Sequence, residues 1–252
     1  MLHSIIKGKG KPIILLHGYM ADSTCWGNLV NKLLANFKCV CIDLPGHGKS
    51  PTLTAPFTMQ NLSTQILKYI KSLRLKEKPI VVGHSMGGYV ALECIAQNPD
   101  VFEKVILLNS HPWPDTEKRI LWRKKEFRLI ESGRKELLVA MNTKINAQGA
   151  SNNLLNFLNL LKGVSLAQKD KNILQSIEVL LSRQNHEQTL RKYEIQCSII
   201  AGEKDEALNL NMLKQLSTSE NISLHVLPNV GHFSFIEATK EVVRLVNELA
   251  IQ

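Results

Sequence analysis

Six short apolar runs punctuate the chain, at residues 13–16, 39–42, 80–82, 105–108, 198–201 and 224–227. They are mostly continuous rather than alternating, the pattern of strands covered on both faces, as in a parallel sheet between two helical layers. Between them, residues 62–73 and 89–97 repeat their apolar positions at helical spacing and predict crossover helices. Strand, helix and strand in repetition imply an α/β fold with a mostly parallel, open sheet flanked by helices and right-handed connections.

The rhythm breaks near residue 111. Ile120, Phe127 and Ile130 form one helical stripe, Leu154, Phe157, Leu158 and Leu161 a second, and Ile173, Ile177 and Leu180 a third, with no strand pattern from 116 to 183. The strand pattern resumes at Cys197. The expected organisation is therefore an α/β core of residues 1–110 and 194–252, interrupted by an all-helical segment at 111–193.

Composition changes this picture little. With 252 residues the chain is long enough for one well-buried core, and 44% hydrophobic against 21% charged residues argues against disorder. Five cysteines, odd in number, irregularly spaced and without C-x-x-C, point to small buried hydrophobes rather than disulfides or a zinc knuckle. The first residues lack the apolar stretch of a signal peptide, and no apolar run is long enough to cross a bilayer. The expectation is a soluble, cytoplasmic protein without membrane insertion. Charge does add something: of the formal +9, most falls in residues 111–192, where 15 Lys and Arg face 8 Asp and Glu. No nucleic-acid motif accompanies this excess, so the simplest reading is a basic face in water and no nucleic-acid partner.

The chemistry concentrates in Gly83-His84-Ser85-Met86-Gly87-Gly88, which follows an apolar run and precedes a helical pattern. G-x-S-x-G in that context is a nucleophile elbow: glycines at both ends allow a turn sharp enough to hold a serine at its tip. A serine hydroxyl needs a base to act near neutral pH, and histidine suits that work. His232 lies in a loop just after the last strand-like run, at the end of the sheet where α/β proteins bind ligands. Asp205 follows the preceding run and is the preferred carboxylate to orient the imidazole, with Glu203 and Glu206 as neighbours. The oxyanion of a tetrahedral intermediate needs backbone donors. Met86, directly after the serine, and Tyr19, in the loop Leu16-His17-Gly18-Tyr19, are the expected sources, with His17 bracing that loop. Trp113 and Met86 are expected to line the pocket, Phe233 to pack beside His232, and Trp26 to serve either pocket or core. Gly48-Lys49-Ser50 is not a phosphate-binding loop, because Asp43 stands where the first glycine would be required.

His17-Gly18, Asp43-Leu44-Pro45-Gly46-His47-Gly48-Lys49-Ser50, the Ser85 elbow, Gly202-Glu203-Lys204-Asp205 and Gly231-His232 stand in an order that resembles the α/β-hydrolase superfamily. The resemblance implies a Ser85–Asp205–His232 triad in nucleophile–acid–base order, and a helical cap inserted after the sixth strand-like segment of the family topology. It also implies acyl chemistry on a small-molecule ester or related substrate without metal or organic cofactor. One departure stands out. Such proteins often open with a strand hairpin, whereas residues 1–7 leave room for about one strand. Two other readings stay open: a lyase or synthase resembling the menaquinone-pathway enzymes, using the same triad on an anionic substrate, and a non-catalytic small-molecule binding protein.

Overall fold

The computed structural model describes residues 1–251. Seven strands, β1 (Ser4–Lys7), β2 (Lys11–Leu16), β3 (Phe37–Ile42), β4 (Ile80–His84), β5 (Lys104–Leu108), β6 (Gln196–Gly202) and β7 (Ile222–Leu227), form one sheet in the order β1-β3-β2-β4-β5-β6-β7. Only β1 runs antiparallel, pairing Ser4 with Ile42 and Lys7 with Cys39; the other six are parallel. The chain thus opens with a single edge strand.

The continuous apolar runs have a direct structural cause. Successive residues of a strand face opposite sides, and both sides are covered. Ile14, Leu16, Val81, Val105, Leu107 and Ile199 pack on one face with Leu62 and Ile66 of α2 (Met59–Ser72) and Val90 and Ile95 of α3 (Met86–Gln97). Ile13, Leu15, Ile80, Val82, Ile106 and Ile200 pack on the other with Leu29 and Leu33 of α1 (Gly27–Leu33) and with Val242 and Val246 of the C-terminal helix at Thr239–Ile251. Each fully buried aliphatic side chain contributes roughly 1.5–3 kcal/mol, so a polar substitution at any of these positions would be costly. The five cysteines are free and buried, filling space as small apolar groups.

Between β5 and β6 the chain is entirely helical: α4 (Glu117–Glu131), α5 (Lys135–Asn146), α6 (Asn152–Ala167), α7 (Asp170–Leu181) and α8 (Glu187–Tyr193). This block follows the fifth strand of the chain, whereas the resemblance implied a cap after the sixth strand-like segment of the family topology. Two of these helices start at polar side-chain caps, Thr116 for α4 and Ser151 for α6, which accept from the amides of Arg119 and Leu154. Helix α7 rests on α2, and α8 on α3. The remaining helices are α9 (Leu210–Leu216), α10 (Ser234–Glu237) and α11 (Thr239–Ile251), with α6 touching α10. Among the described residues no helix is long and apolar enough to cross a membrane.

Helix α4 buries charge on the same side as its apolar stripe. Its buried residues are Arg123, Glu126 and Ile130, while Ile120 and Phe127 are half-buried. The two charges go inward because they meet each other and Asp115 there, at 3.0 Å for Arg123–Glu126 and 3.4 Å for Arg123–Asp115. A charge enters a protein interior only when it is paired in this way.

Candidate active site

Strand β4 delivers the chain into a turn at Ser85, whose backbone sits at φ 49° and ψ −114°. That region is unfavourable for any residue with a side chain and persists only where the surroundings enforce it. Here α3 begins at the very next residue and folds back on the sheet. A side-chain carbon at Gly83 would run into the Gly87–Gly88 backbone, and one at Gly87 into the Leu16 carbonyl. The Ser85 hydroxyl caps nothing on α3 and borders a cavity of about 150 Å³.

His232 borders the same cavity. Its Nδ1 lies 2.8 Å from Asp205 Oδ2, and since a carboxylate only accepts, Nδ1 carries the proton and Nε2 is left with its lone pair. Among the described residues no hydrogen bond joins Ser85 Oγ to His232; such contacts often tighten only when substrate is present. Two loops are pressed together to make the Asp205–His232 contact. A side-chain carbon at Gly202 would strike the carbonyl oxygens of Val230 and Gly231, and the Lys204 amide bonds Val230 O at 2.8 Å. Glu203, an alternative to Asp205, instead accepts from the Asn229 amide at 2.9 Å.

Asp205 is held by more than the imidazole. Its Oδ2 also accepts from Asn109 Nδ2 at 2.9 Å, and its Oδ1 from the Ala207 amide at 3.0 Å. Burial by itself would raise the pKa of this carboxyl, but the His232 charge and the three hydrogen bonds outweigh it and hold the value below the usual carboxylate range. The sign follows from linkage. The group binds its proton less readily folded than unfolded, so it contributes stability above the unfolded value of about 3.9 and loses it as pH falls further.

Asn109 was not among the residues singled out by the sequence. It closes β5 with φ 49° and uses one amide to bridge Asp205 and the Gly231 carbonyl, 3.0 Å away. Its only sequence signal is its place directly after an apolar run. Asn109→Ala is expected to lower kcat by roughly tenfold with little change in KM, because one charge-assisted hydrogen bond to the carboxylate is worth about 1.5–3 kcal/mol; steady-state kinetics on any turned-over ester would check it. His84 is a second such residue. Its Nε2–H donates to the His232 carbonyl at 2.9 Å, and its ring lies 4.9 Å from that of His232. Burial, reinforced by the nearby His232, drives its pKa down to about 3, so it stays neutral and braces the loop.

The loop after β2 comes against the elbow, with Gly18 under His84 and Ser85. His17 Nδ1–H donates to Gly18 O at 2.8 Å while Nε2 accepts from the Leu44 amide at 3.0 Å, so the ring clamps two loops. Burial lowers its pKa to about 4, and it remains uncharged. The Tyr19 amide has no hydrogen-bond partner among the described residues, and Met86 is the first residue of α3, where helix amides lack an intrahelical acceptor. Tyr19 also lines the cavity, and its neighbours Met20 and Ala21 are fastened to α6 and its C-terminal cap through Ser165 Oγ and Gln168 Nε2.

Two expectations about the cavity wall need correction. The Met86 side chain points into the core, fully buried, because α3 packs that face on the sheet. Trp113 stacks on His111 and donates to Glu187 Oε2 at 2.8 Å, which draws it away from the cavity. Phe233 does line the cavity and packs edge-on to His232. Trp26 belongs to the core, wedged between His84 and Phe235. Among the described residues no group of His, Cys, Asp or Glu is placed to hold a metal ion.

The family described as alpha/beta hydrolase fold matches residues 11–239. The chain is 26% identical over 257 residues to the monoacylglycerol lipase ABHD6 of Bos taurus, covering 94% of this chain and 76% of that protein. Among solved structures it resembles a thermophilic esterase from Thermogutta terrifontis, with TM-score 0.89 at 20% identity over 98% of this chain and 92% of that one. It resembles MenH from S. aureus to a similar degree, with TM-score 0.88 at 20% identity over 99% and 98% of the two chains. These two likenesses establish a shared fold.

Proposed function

Because the chain belongs to the alpha/beta hydrolase fold family, we propose that it is a serine hydrolase that cleaves a carboxylic ester or related acyl bond through an acyl-enzyme. One observation carries the reading. A serine held in a strained turn shares a cavity with an imidazole whose Nδ1–H is fixed by a buried carboxylate. Fixing the proton on Nδ1 leaves Nε2 free to act as base, which is the arrangement acyl transfer by serine requires.

In this reading Ser85 Oγ attacks the substrate carbonyl as His232 Nε2 takes its proton. Asp205 stabilises the imidazolium. The amides of Met86 and Tyr19 hold the oxyanion, each such donor being worth about 2.7–4 kcal/mol in a site of this kind. The helix dipole of α3 adds to the stabilisation. His232 then protonates the departing alcohol, and the carbonyl re-forms as the acyl-enzyme. Water, deprotonated by the same nitrogen, attacks the acyl-enzyme, and Ser85 leaves with its proton restored. Residues 111–193 act as a cap over a core of 1–110 and 194–252, the walls from α4, α5 and α6 shaping the pocket. His84 does not compete as base, since burial keeps its pKa near 3 and its Nε2–H is engaged.

A fluorophosphonate probe and a panel of short-chain nitrophenyl esters test the proposal together. Labelling of the wild type at Ser85 with ester turnover is the expected outcome. Labelling without turnover of any ester would point to elimination chemistry on the same triad, and no labelling would remove the nucleophile.

A further inference from the structure

The cavity beside Ser85 carries positive charge that the protein itself leaves uncompensated. Its α4 wall holds Arg119, Arg123 and Glu126, and its α6 wall Lys162. Arg123 is cancelled locally: it pairs with Glu126 at 3.0 Å and with Asp115 at 3.4 Å, while Asp115 binds Arg183 at 2.6 Å. Those two cations and two anions form a closed, buried set. Arg119 and Lys162 stand outside it. Neither has a carboxylate within salt-bridge distance among the described residues. Arg119 keeps an exposed side, while partial burial and the like-charged Arg123 one turn on push its pKa below the usual guanidinium value. An anion placed between the two helices would relieve that repulsion.

We infer that Arg119 and Lys162 bind a carboxylate at the end of the acyl group remote from the scissile bond, so that the preferred substrates are half-esters of short dicarboxylic acids. The chemistry of the wall favours this class. A carboxylate presents two oxygens in the plane that a guanidinium can grip. The cavity wall also carries the apolar side chains of Phe157, Leu158 and Leu161, which suit the methylene chain between the two ends. The size sets the length. About 150 Å³ accommodates a benzene-sized group, so the acyl arm has roughly six carbons at most. The excess of positive charge over residues 111–192 would also draw an anion toward the cap, an effect that salt screens.

This inference rests on the hydrolase reading, and the test has an arm that does not. In the kinetic arm, monomethyl glutarate is compared with methyl pentanoate, which replaces the carboxylate by a methyl group and is otherwise the same. The expected wild-type kcat/KM is at least tenfold higher for the half-ester. Arg119→Met and Lys162→Met, on separate helices, should each erase most of that ratio through KM. Salt at several hundred millimolar should shrink the ratio too. Equal or better turnover of methyl pentanoate, or variants that lose the same factor on both esters, would overturn the inference. In the binding arm, Ser85→Ala protein is titrated with monomethyl glutarate by calorimetry, with methyl pentanoate as control. Binding of the half-ester alone, weakened at least tenfold by adding Arg119→Met, supports the cation pair even if the wild type hydrolyses neither ester. In that event it is the hydrolase reading that fails. Absence of any difference between the two compounds defeats the inference whatever the kinetics show.

Discussion

Ser85→Ala is expected to lower kcat on an ester by on the order of 10⁴-fold or more while leaving the fold in place. The loss is large because no other hydroxyl replaces the nucleophile, and the residual rate would come from the oxyanion donors and substrate positioning alone. The fold is insensitive because the Ser85 side chain caps nothing on α3. Its main-chain bonds, N–H to Leu108 O at 3.1 Å and C=O from Ser110 Oγ at 2.8 Å, are available to alanine. The variant should therefore melt within a few degrees of the wild type, and esterase assays with thermal denaturation would check both halves. Glycine offers an internal control. At φ 49° a Cβ is strained, so Ser85→Gly should be equally inactive yet more stable than Ser85→Ala by on the order of 1 kcal/mol. An alanine protein with wild-type turnover would end the mechanism.

The parts of this site that the sequence announces are those whose signal is local. The elbow announces itself because its glycines and serine fall within six consecutive positions between a strand and a helix. Asp205 and His232 can be found because they follow the last two strand-like runs, and parallel strands end at the same rim. The strands are legible for the same kind of reason, since burial on both faces keeps the central ones almost wholly apolar. Other features have no local signal. Asn109 matters only through Asp205, 96 residues away, and through Gly231. His84 gains its role from a carbonyl 148 residues distant. Helix α4 shows what periodicity leaves out. Hydrophobic spacing marks the side of Ile120, Phe127 and Ile130 as inward, and Arg123 and Glu126 turn inward on that side too because Asp115 and Arg183 close the charge balance from outside the helix. Trp113 is drawn from the cavity by Glu187, a partner 74 residues further along the chain. Pattern reads the layers of the fold; polar pairings between distant segments, which decide pocket shape and charge, leave no period.

Asp205→Asn should be nearly as damaging to catalysis as loss of the serine, by roughly 10³- to 10⁴-fold in kcat, although it removes a single charge. The native carboxylate accepts on Oδ2 from both His232 Nδ1 and Asn109 Nδ2, and on Oδ1 from the Ala207 amide. An asparagine has one accepting oxygen and one donating nitrogen. If the oxygen stays with the Ala207 amide, the nitrogen faces Nδ1, which must then accept. The proton moves to Nε2, and the imidazole can no longer take one from Ser85. If the side chain flips, Nδ1 keeps its donor role, but the nitrogen then opposes the Ala207 N–H and leaves two donors in contact. In either arrangement the imidazolium loses its buried counter-charge. The effect should fall on kcat far more than on KM, since Asp205 is buried and does not line the cavity. It should also change the acid limb of stability. The wild type draws stability from a carboxyl whose pKa is held below its unfolded value, and that contribution disappears as pH falls below about 4. The variant has no such group at 205, so its denaturation midpoint should fall less steeply between pH 5 and roughly 3 than that of the wild type. Kinetics at pH 7 to 8 with urea denaturation across the acid range would measure both. Wild-type kcat in the Asp205→Asn protein would show that His232 is oriented by something other than this carboxylate.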